Sequence, residues 1–198
     1  MLGSGKGSNF QSLIDVIESG ALKVTLQCVI SDVEDAFILE RGRKHRIPAE
    51  FISAAPFKTK LDGEGEQKYI DTLKKYDVDI IALAGFMRII KKGLLSAFPG
   101  RILNIHPSLL PAFPGMESWK QALDYGVKIT GCTVHIVDEG TDTGPIVIQR
   151  AVPVLDSDTP ESLHARIQVE EHIAYPQALQ LFAGHNVSTE GRHAKIRS

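Results

Sequence analysis

R-I-L-N-I-H-P-S-L-L-P-A-F-P-G, the run from Arg101 to Gly115, reads as a short buried strand that empties into a proline-bearing loop. The strand covers Arg101 to His106, and Pro107, Pro111 and Pro114 stiffen the loop beyond it. Alternate side chains of a strand share a face, so Asn104 and His106 point the same way while Ile105 points into packing. An amide and an imidazole are thereby presented together at a strand's carboxyl end, where open parallel sheets bind ligands. Taken alone, the pair also reads as a capping amide and a structural imidazole ahead of a rigid loop.

Upstream of it, Asp79 to Ala84 is a near-continuous apolar run, the mark of a strand covered on both faces. Strands also read at Val24 to Ile30 and, more briefly, at Ile47 to Ile52. Helices read after Asn9, where Phe10, Leu13, Ile14 and Ile17 share a face and Gly20 is the stop, at Ala36 to Lys44, at Glu66 to Tyr76 and at Leu94 to Phe98. Ala54 to Gly65 reads as a loop. Strand and helix alternate throughout this half, which predicts an α/β fold with a doubly wound, mostly parallel, Rossmann-like sheet. Beyond the proline loop, Ser118 to Tyr125 is helical with Gly126 as its cap. Ile129 to Val137 and Pro145 to Val154 come next as an antiparallel addition to the sheet. Thr159-Pro160-Glu161 opens a long helix that runs towards Gly184, with a bend expected near Pro176. The reading is one domain over 1–184 and a polar tail over 185–198, a loose hairpin around Gly191.

Bulk composition narrows the function classes. Of 198 residues, 43% are hydrophobic and 23% charged, ordinary for a soluble globular protein. A formal net charge of -2 leaves no basic footprint for nucleic acid, and no apolar run is long enough for a membrane span. No secretory signal is visible, so the expected setting is cytoplasmic. Cys28 and Cys132 lie in apolar strands and read as reduced core thiols. The seven histidines form no H-x-x-x-H or H-E-x-x-H pair, so no metal site is expected.

Other segments join Asn104 and His106 as candidates. Gly3-Ser4-Gly5-Lys6-Gly7-Ser8-Asn9 leads into the first helix, whose free N–H groups and positive dipole end form an anion site. It matches neither the Walker spacing nor G-x-G-x-x-G, and a bare turn is the competing reading. The acidic loop Asp138 to Gly144 offers a carboxylate to His106, which would raise its pKa and keep it protonated near neutrality. An imidazolium beside an amide N–H₂ suits a developing oxyanion, and the same His can act as a general acid. Acids in such a loop are as a rule merely solvated. Arg88 reads either as a surface ion-pair former or as an anion contact, and His135, on the strand before the acidic loop, as a residue that packs or hydrogen-bonds nearby.

N-I-H-P-S-L-L-P at Asn104 to Pro111, with L-A-G-F-M-R-I at Leu83 to Ile89, resembles the glycinamide ribonucleotide formyltransferase family of purine synthesis. G-S-G-K-G-S-N at Gly3 to Asn9 is similar to that family's phosphate loop. G-C-T-V-H-I-V-D-E-G-T-D-T-G-P at Gly131 to Pro145 is similar to its strand and aspartate loop, and Glu171-His172 with Tyr175-Pro176 to its last helix. The resemblance runs from about Leu2 to Gly184. It implies a catalytic set of Asn104, His106 and Asp142, a ribonucleotide site at Gly7, Ser8, Asn9 and Glu171, and a formyl-folate site at Met87, Arg88, Ile89, Ile90 and Asn104. It further implies direct transfer of the formyl group of 10-formyltetrahydrofolate to the amine of glycinamide ribonucleotide, with no metal, in a monomer or homodimer. A formyltetrahydrofolate hydrolase, or a non-catalytic folate or nucleotide binder on the same fold, is the alternative. The sequence departs from the family where only Met1-Leu2 precedes the glycine loop, where Phe57 to Glu66 lacks the usual folate-contacting arginine, leaving Lys58 or Lys60, and where Trp119 stands for a histidine.

Overall fold

The computed structural model describes residues 1–197. Its elements, in order, are α1 (Ser8–Glu18), β1 (Val29–Ser31), α2 (Phe37–Lys44), β2 (Ala49–Phe51), β3 (Lys60–Leu61), α3 (Gly63–Lys75), β4 (Ile81–Ala84), β5 (Ile89–Ile90), α4 (Lys92–Ala97) and β6 (Ile102–His106). They continue with α5 (Ser118–Tyr125), β7 (Ile129–Ile136), β8 (Ile146–Pro153), α6 (Pro160–Ala183), β9 (Val187–Glu190) and β10 (His193–Ile196).

The main sheet runs β4-β6-β7-β8-β10-β9. β4 and β6 are parallel, whereas β7 is antiparallel to both β6 and β8, as the sequence reading of the second half expects. Beyond β4 the sheet continues through the extended Met1–Gly3 segment, where Leu2 bridges in parallel to Leu83 on one side and Ile30 on the other. β1 then pairs in parallel with β2. Three residues thus occupy the centre of the parallel half.

Strand parity sorts the side chains into two cores. Ala82, Leu103, Ile105, Cys132 and Val134 face the layer that holds α1 and α6, packing with Phe10, Leu13, Leu163 and Tyr175. Ile81, Leu83 and Ile102 face the layer of α3 and α4, packing with Tyr69, Leu73 and Leu94. Each fully buried aliphatic side chain in such a layer contributes ~1.5–3 kcal/mol. Asn104 and His106 share the parity of Ile102, and Thr133 and His135 lie directly opposite them on β7. The four polar side chains therefore sit on one face, beyond the end of the apolar rows.

Two devices hold α6 across the sheet. Thr159 and Ser162 form a reciprocal capping box with Pro160 in the first turn, satisfying amides that would otherwise lack partners. The Tyr175 hydroxyl, wholly buried, donates towards the carbonyls of Leu83 at 2.7 Å and Leu103 at 3.1 Å, bolting the helix to β4 and β6. The helix runs unbroken through Pro176 to Ala183.

Three local expectations are corrected. Val24 to Ile30 is a strand only from Val29, where β2 lies alongside. The expected loop 54–65 contains β3, which pairs with β5, and the start of α3; the Asp62 carboxylate accepts the Gly63 amide and opens that helix three residues early. The expected loose hairpin is a paired one: β9 and β10 are antiparallel, and His193 meets Ile146 on β8. Ser198 lies outside the described residues.

Candidate active site

β6 delivers Asn104 and His106 to the carboxyl end of the parallel strands, and the proline loop folds back over them. The loop is pinned from below. Thr133 Oγ1 donates to Ser108 O at 2.7 Å and accepts the Leu110 amide at 3.0 Å, and Ser118 Oγ donates to Pro107 O at 2.9 Å. His106 is buried, with 4% of its surface exposed. Its Nε2 lies 2.9 Å from the Phe113 carbonyl and its Nδ1 3.4 Å from Asp142 Oδ2. Both ring nitrogens face oxygen acceptors, an arrangement fully satisfied only by an imidazolium. Burial nevertheless pushes the His106 pKa below its ordinary value, outweighing the Asp142 charge and the Phe113 carbonyl that pull it up. The expected net rise in the His106 pKa is therefore corrected to a fall. The tight 2.9 Å contact favours a proton on Nε2.

Asp142 adopts the left-handed backbone region at φ 55°, which turns its carboxylate inward from the loop after β7. Oδ2 accepts the Gly115 amide at 2.8 Å, and Oδ1 lies 3.6 Å from His135 Nε2. Burial works to raise the Asp142 pKa, but His135, His106 and the Gly115 amide together hold it below the usual carboxylate range. The group is ionised throughout the neutral range. Gly144 makes the loop's return possible: a Cβ there would fall 1.7 Å from the Ile136 carbonyl.

His135 is the residue that sequence reasoning leaves outside the site, as one that packs or hydrogen-bonds nearby. Its Nε2 lies 3.2 Å from Asn104 Nδ2, and its Nδ1 lies 3.1 Å from the Ile136 carbonyl. Nε2 thus lies within reach of both the Asn104 amide and the Asp142 carboxylate, and the position of its proton decides which of the two it bonds. The signal is present in T-V-H, where alternation puts His135 on the Thr133 face; the missing information is that β7 pairs in the register Asn104↔His135.

The glycine loop meets the long helix on the other side of β4. Gly7 caps α1 at φ 70°, and a Cβ there would lie 2.6 Å from Ile38 Cγ1, so both the conformation and the space require glycine. No acidic residue occupies the first turn, which leaves the dipole end unscreened. Asn9 Nδ2 donates to Glu171 Oε2 at 2.8 Å, while Asn9 Oδ1 is buried without a hydrogen-bond partner. Burial drives the Glu171 carboxyl upward against that one bond, so the group holds its proton more readily than an ordinary glutamate.

The expected folate segment divides. Met87 and Ile89 are exposed, whereas the Ile90 side chain is in the core. Arg88 turns away from the surface: Nη2 is 2.8 Å from Asp32 Oδ2, and Nη1 donates to the Lys58 carbonyl. Its guanidinium is thus committed within the protein. Lys60 is bonded to Asp62 at 2.6 Å and lies over the Phe57 ring, and Trp119 stacks on His164 with ring centroids 3.8 Å apart. Among the described residues, no group of three or more His, Cys, Asp or Glu is arranged to hold a metal, and no helix is long and apolar enough to cross a membrane.

Known proteins resemble the chain along nearly its whole length. A family model described as formyl transferase matches residues 1–179. Phosphoribosylglycinamide formyltransferase of Bacillus subtilis is 40% identical over 183 residues, covering 92% of this chain and 93% of that protein. A crystal structure of glycinamide ribonucleotide transformylase 1 from Symbiobacterium toebii superposes with a TM-score of 0.94 at 47% identity, covering all of this chain and 92% of that one. The trifunctional purine biosynthetic protein adenosine-3 of Chironomus tentans is 44% identical over 182 residues, but this chain spans only 13% of its length.

Proposed function

The chain belongs to the formyl transferase family, and on that basis we propose that it transfers the formyl group of 10-formyltetrahydrofolate to the amine of glycinamide ribonucleotide. The products are the N-formyl ribonucleotide and tetrahydrofolate. The observation that carries the reading is the convergence of Asn104, His106 and the ionised Asp142 at one strand mouth. The open helix end at Gly7, Ser8 and Asn9, with Glu171 beside it, supports a phosphorylated acceptor. The exposed rim at Met87 and Ile89, with the main chain through Arg88 and Ile90, supports the formyl-folate site next to Asn104.

The chemistry then comes from the donors and acceptors. The ribonucleotide amine attacks the formyl carbon, and the carbonyl electrons move onto oxygen. Asn104 Nδ2–H and His106 Nε2–H donate to that oxyanion, which takes the place of the Phe113 carbonyl now held by His106. Asp142 accepts the proton released by the amine, and water relays it to the folate nitrogen as the C–N bond breaks. The chain's own groups supply the donors and the base. The reading sets the enzyme in the cytoplasm, on small-molecule substrates, as a monomer or homodimer.

The deciding experiment measures tetrahydrofolate release from 10-formyltetrahydrofolate with and without glycinamide ribonucleotide. Release that requires the ribonucleotide, and falls by ~10²–10³ in His106→Ala, is expected. Equal release without ribonucleotide identifies hydrolysis instead, and binding of both ligands with no release at all identifies a non-catalytic binder.

A further inference from the structure

Asp32, one residue past β1, joins two segments that the proposed reading gives to different substrates. Its side chain is wholly removed from solvent. Oδ1 accepts the Ser4 hydroxyl at 2.5 Å, and Oδ2 lies 2.8 Å from Arg88 Nη2. The Ser4 oxygen in turn accepts the Met87 amide at 2.9 Å, and the Ser4 amide donates to the Gly85 carbonyl at 3.0 Å. Donor roles run one way along this chain, from Met87 N–H through Ser4 O–H to the Asp32 carboxylate, which the Arg88 cation meets from the other side. A hydrogen-bond chain of this sense strengthens cooperatively, and it ends on a charge that cannot turn to water.

Ser4 belongs to the loop that leads into Gly7, Ser8 and Asn9, and Met87 and Arg88 open the exposed rim. On its far side the glycine loop is held by Ile38, whose amide donates to Gly5 O at 3.1 Å, and by Arg41, whose Nε donates to Lys6 O at 2.9 Å. A shift of the loop on binding an anion therefore reaches Ser4, and Ser4 cannot move without taking the Met87 amide along or stranding Asp32.

We infer that Asp32 is a positioning residue that couples the two substrate sites, so that filling the Gly7–Asn9 end raises affinity at the Met87–Ile90 rim, and the reverse. The inference rests on the proposed site reading and adds the linkage between its halves. Reciprocity makes the coupling one number measurable from either side. Isothermal calorimetry with glycinamide ribonucleotide, with and without saturating tetrahydrofolate, gives that number for the wild-type chain, Asp32→Asn and Ser4→Ala. The wild-type affinity ratio is expected to be about 5 or more. Both variants should bring it to about 1, while kcat with both substrates saturating changes less than the two KM values do. Ser4→Ala removes one hydroxyl and strands no charge, so it carries the test even if Asp32→Asn does not fold. A wild-type ratio of 1, or a Ser4→Ala ratio equal to the wild-type one, overturns the inference while leaving formyl transfer intact. Absence of any transfer by the wild-type chain overturns the site reading and this inference with it.

Discussion

Replacing Asp142 by asparagine removes one charge from the centre of the site and almost no volume. Three contacts feel it: His106 Nδ1 at 3.4 Å, His135 Nε2 at 3.6 Å and the Gly115 amide at 2.8 Å. At 3.4 Å, with an effective dielectric of about 20, the attraction between the carboxylate and a charged His106 is ~5 kcal/mol, an upper bound on what the substitution removes. As the proton acceptor, Asp142 supplies general-base catalysis, which contributes ~10²–10⁴ in rate, comparable with that bound. The variant is therefore expected to lose ~10²–10⁴ in kcat with KM for either substrate changed by only a few-fold. The His106 titration supplies a second, signed readout. The carboxylate raises the His106 pKa against burial, so its removal lowers that pKa further and moves the imidazole's NMR titration to lower pH. Asp142 also has a depressed pKa in the folded protein, so it contributes stability above its ordinary value of 3.8 that is lost as pH falls. The variant should thus melt below wild type at pH 7, and the gap should close in acid. Steady-state kinetics, an NMR titration of the imidazole and thermal melts read all three. A kcat within a few-fold of wild type, or an imidazole titration displaced upward, refutes the role given to Asp142.

Glu171→Gln keeps the acceptor for Asn9 but removes a buried carboxylate whose burial drives its pKa upward. A raised acid pKa costs stability as pH rises through it, so the variant should gain ~1–3 kcal/mol at pH 7, about 2–4 °C in Tm per kcal/mol, while KM for the ribonucleotide rises. Gly7→Ala forces a side chain into the left-handed region and against Ile38, with a cost of ~2–4 kcal/mol in urea unfolding and loss of ribonucleotide affinity. Trp119, the single tryptophan, stacks flat on His164, whose pKa is lowered by burial and by Lys6. Its emission should change only as pH falls below the ordinary imidazole value, and His164→Gln should abolish the step.

Periodicity and local chemistry make much of this protein readable before any coordinates. α5 ends at Gly126, α6 begins at Thr159-Pro160, and the two antiparallel strands come after the parallel half, because capping, proline geometry and strand alternation act within a few residues. Asn104 and His106 share a face for the same reason, and Asp142 reaches His106 as the acidic loop suggests. Properties that depend on distant chain segments are not legible. β3 and β5 are two-residue strands that exist only because each is the other's partner. His135 enters the site through the register of β7 on β6, and Arg88 leaves the surface because Asp32, 56 positions earlier in the sequence, is buried beside it. The charge of His106 escapes the sequence on the same ground: a neighbouring carboxylate is visible there, but the desolvation that outweighs it is set by everything packed around the ring. The sequence by itself determined which groups were available and on which side of their strands they lay. Only the tertiary structure decided which of them meet, and how much water is left between them to set their charge.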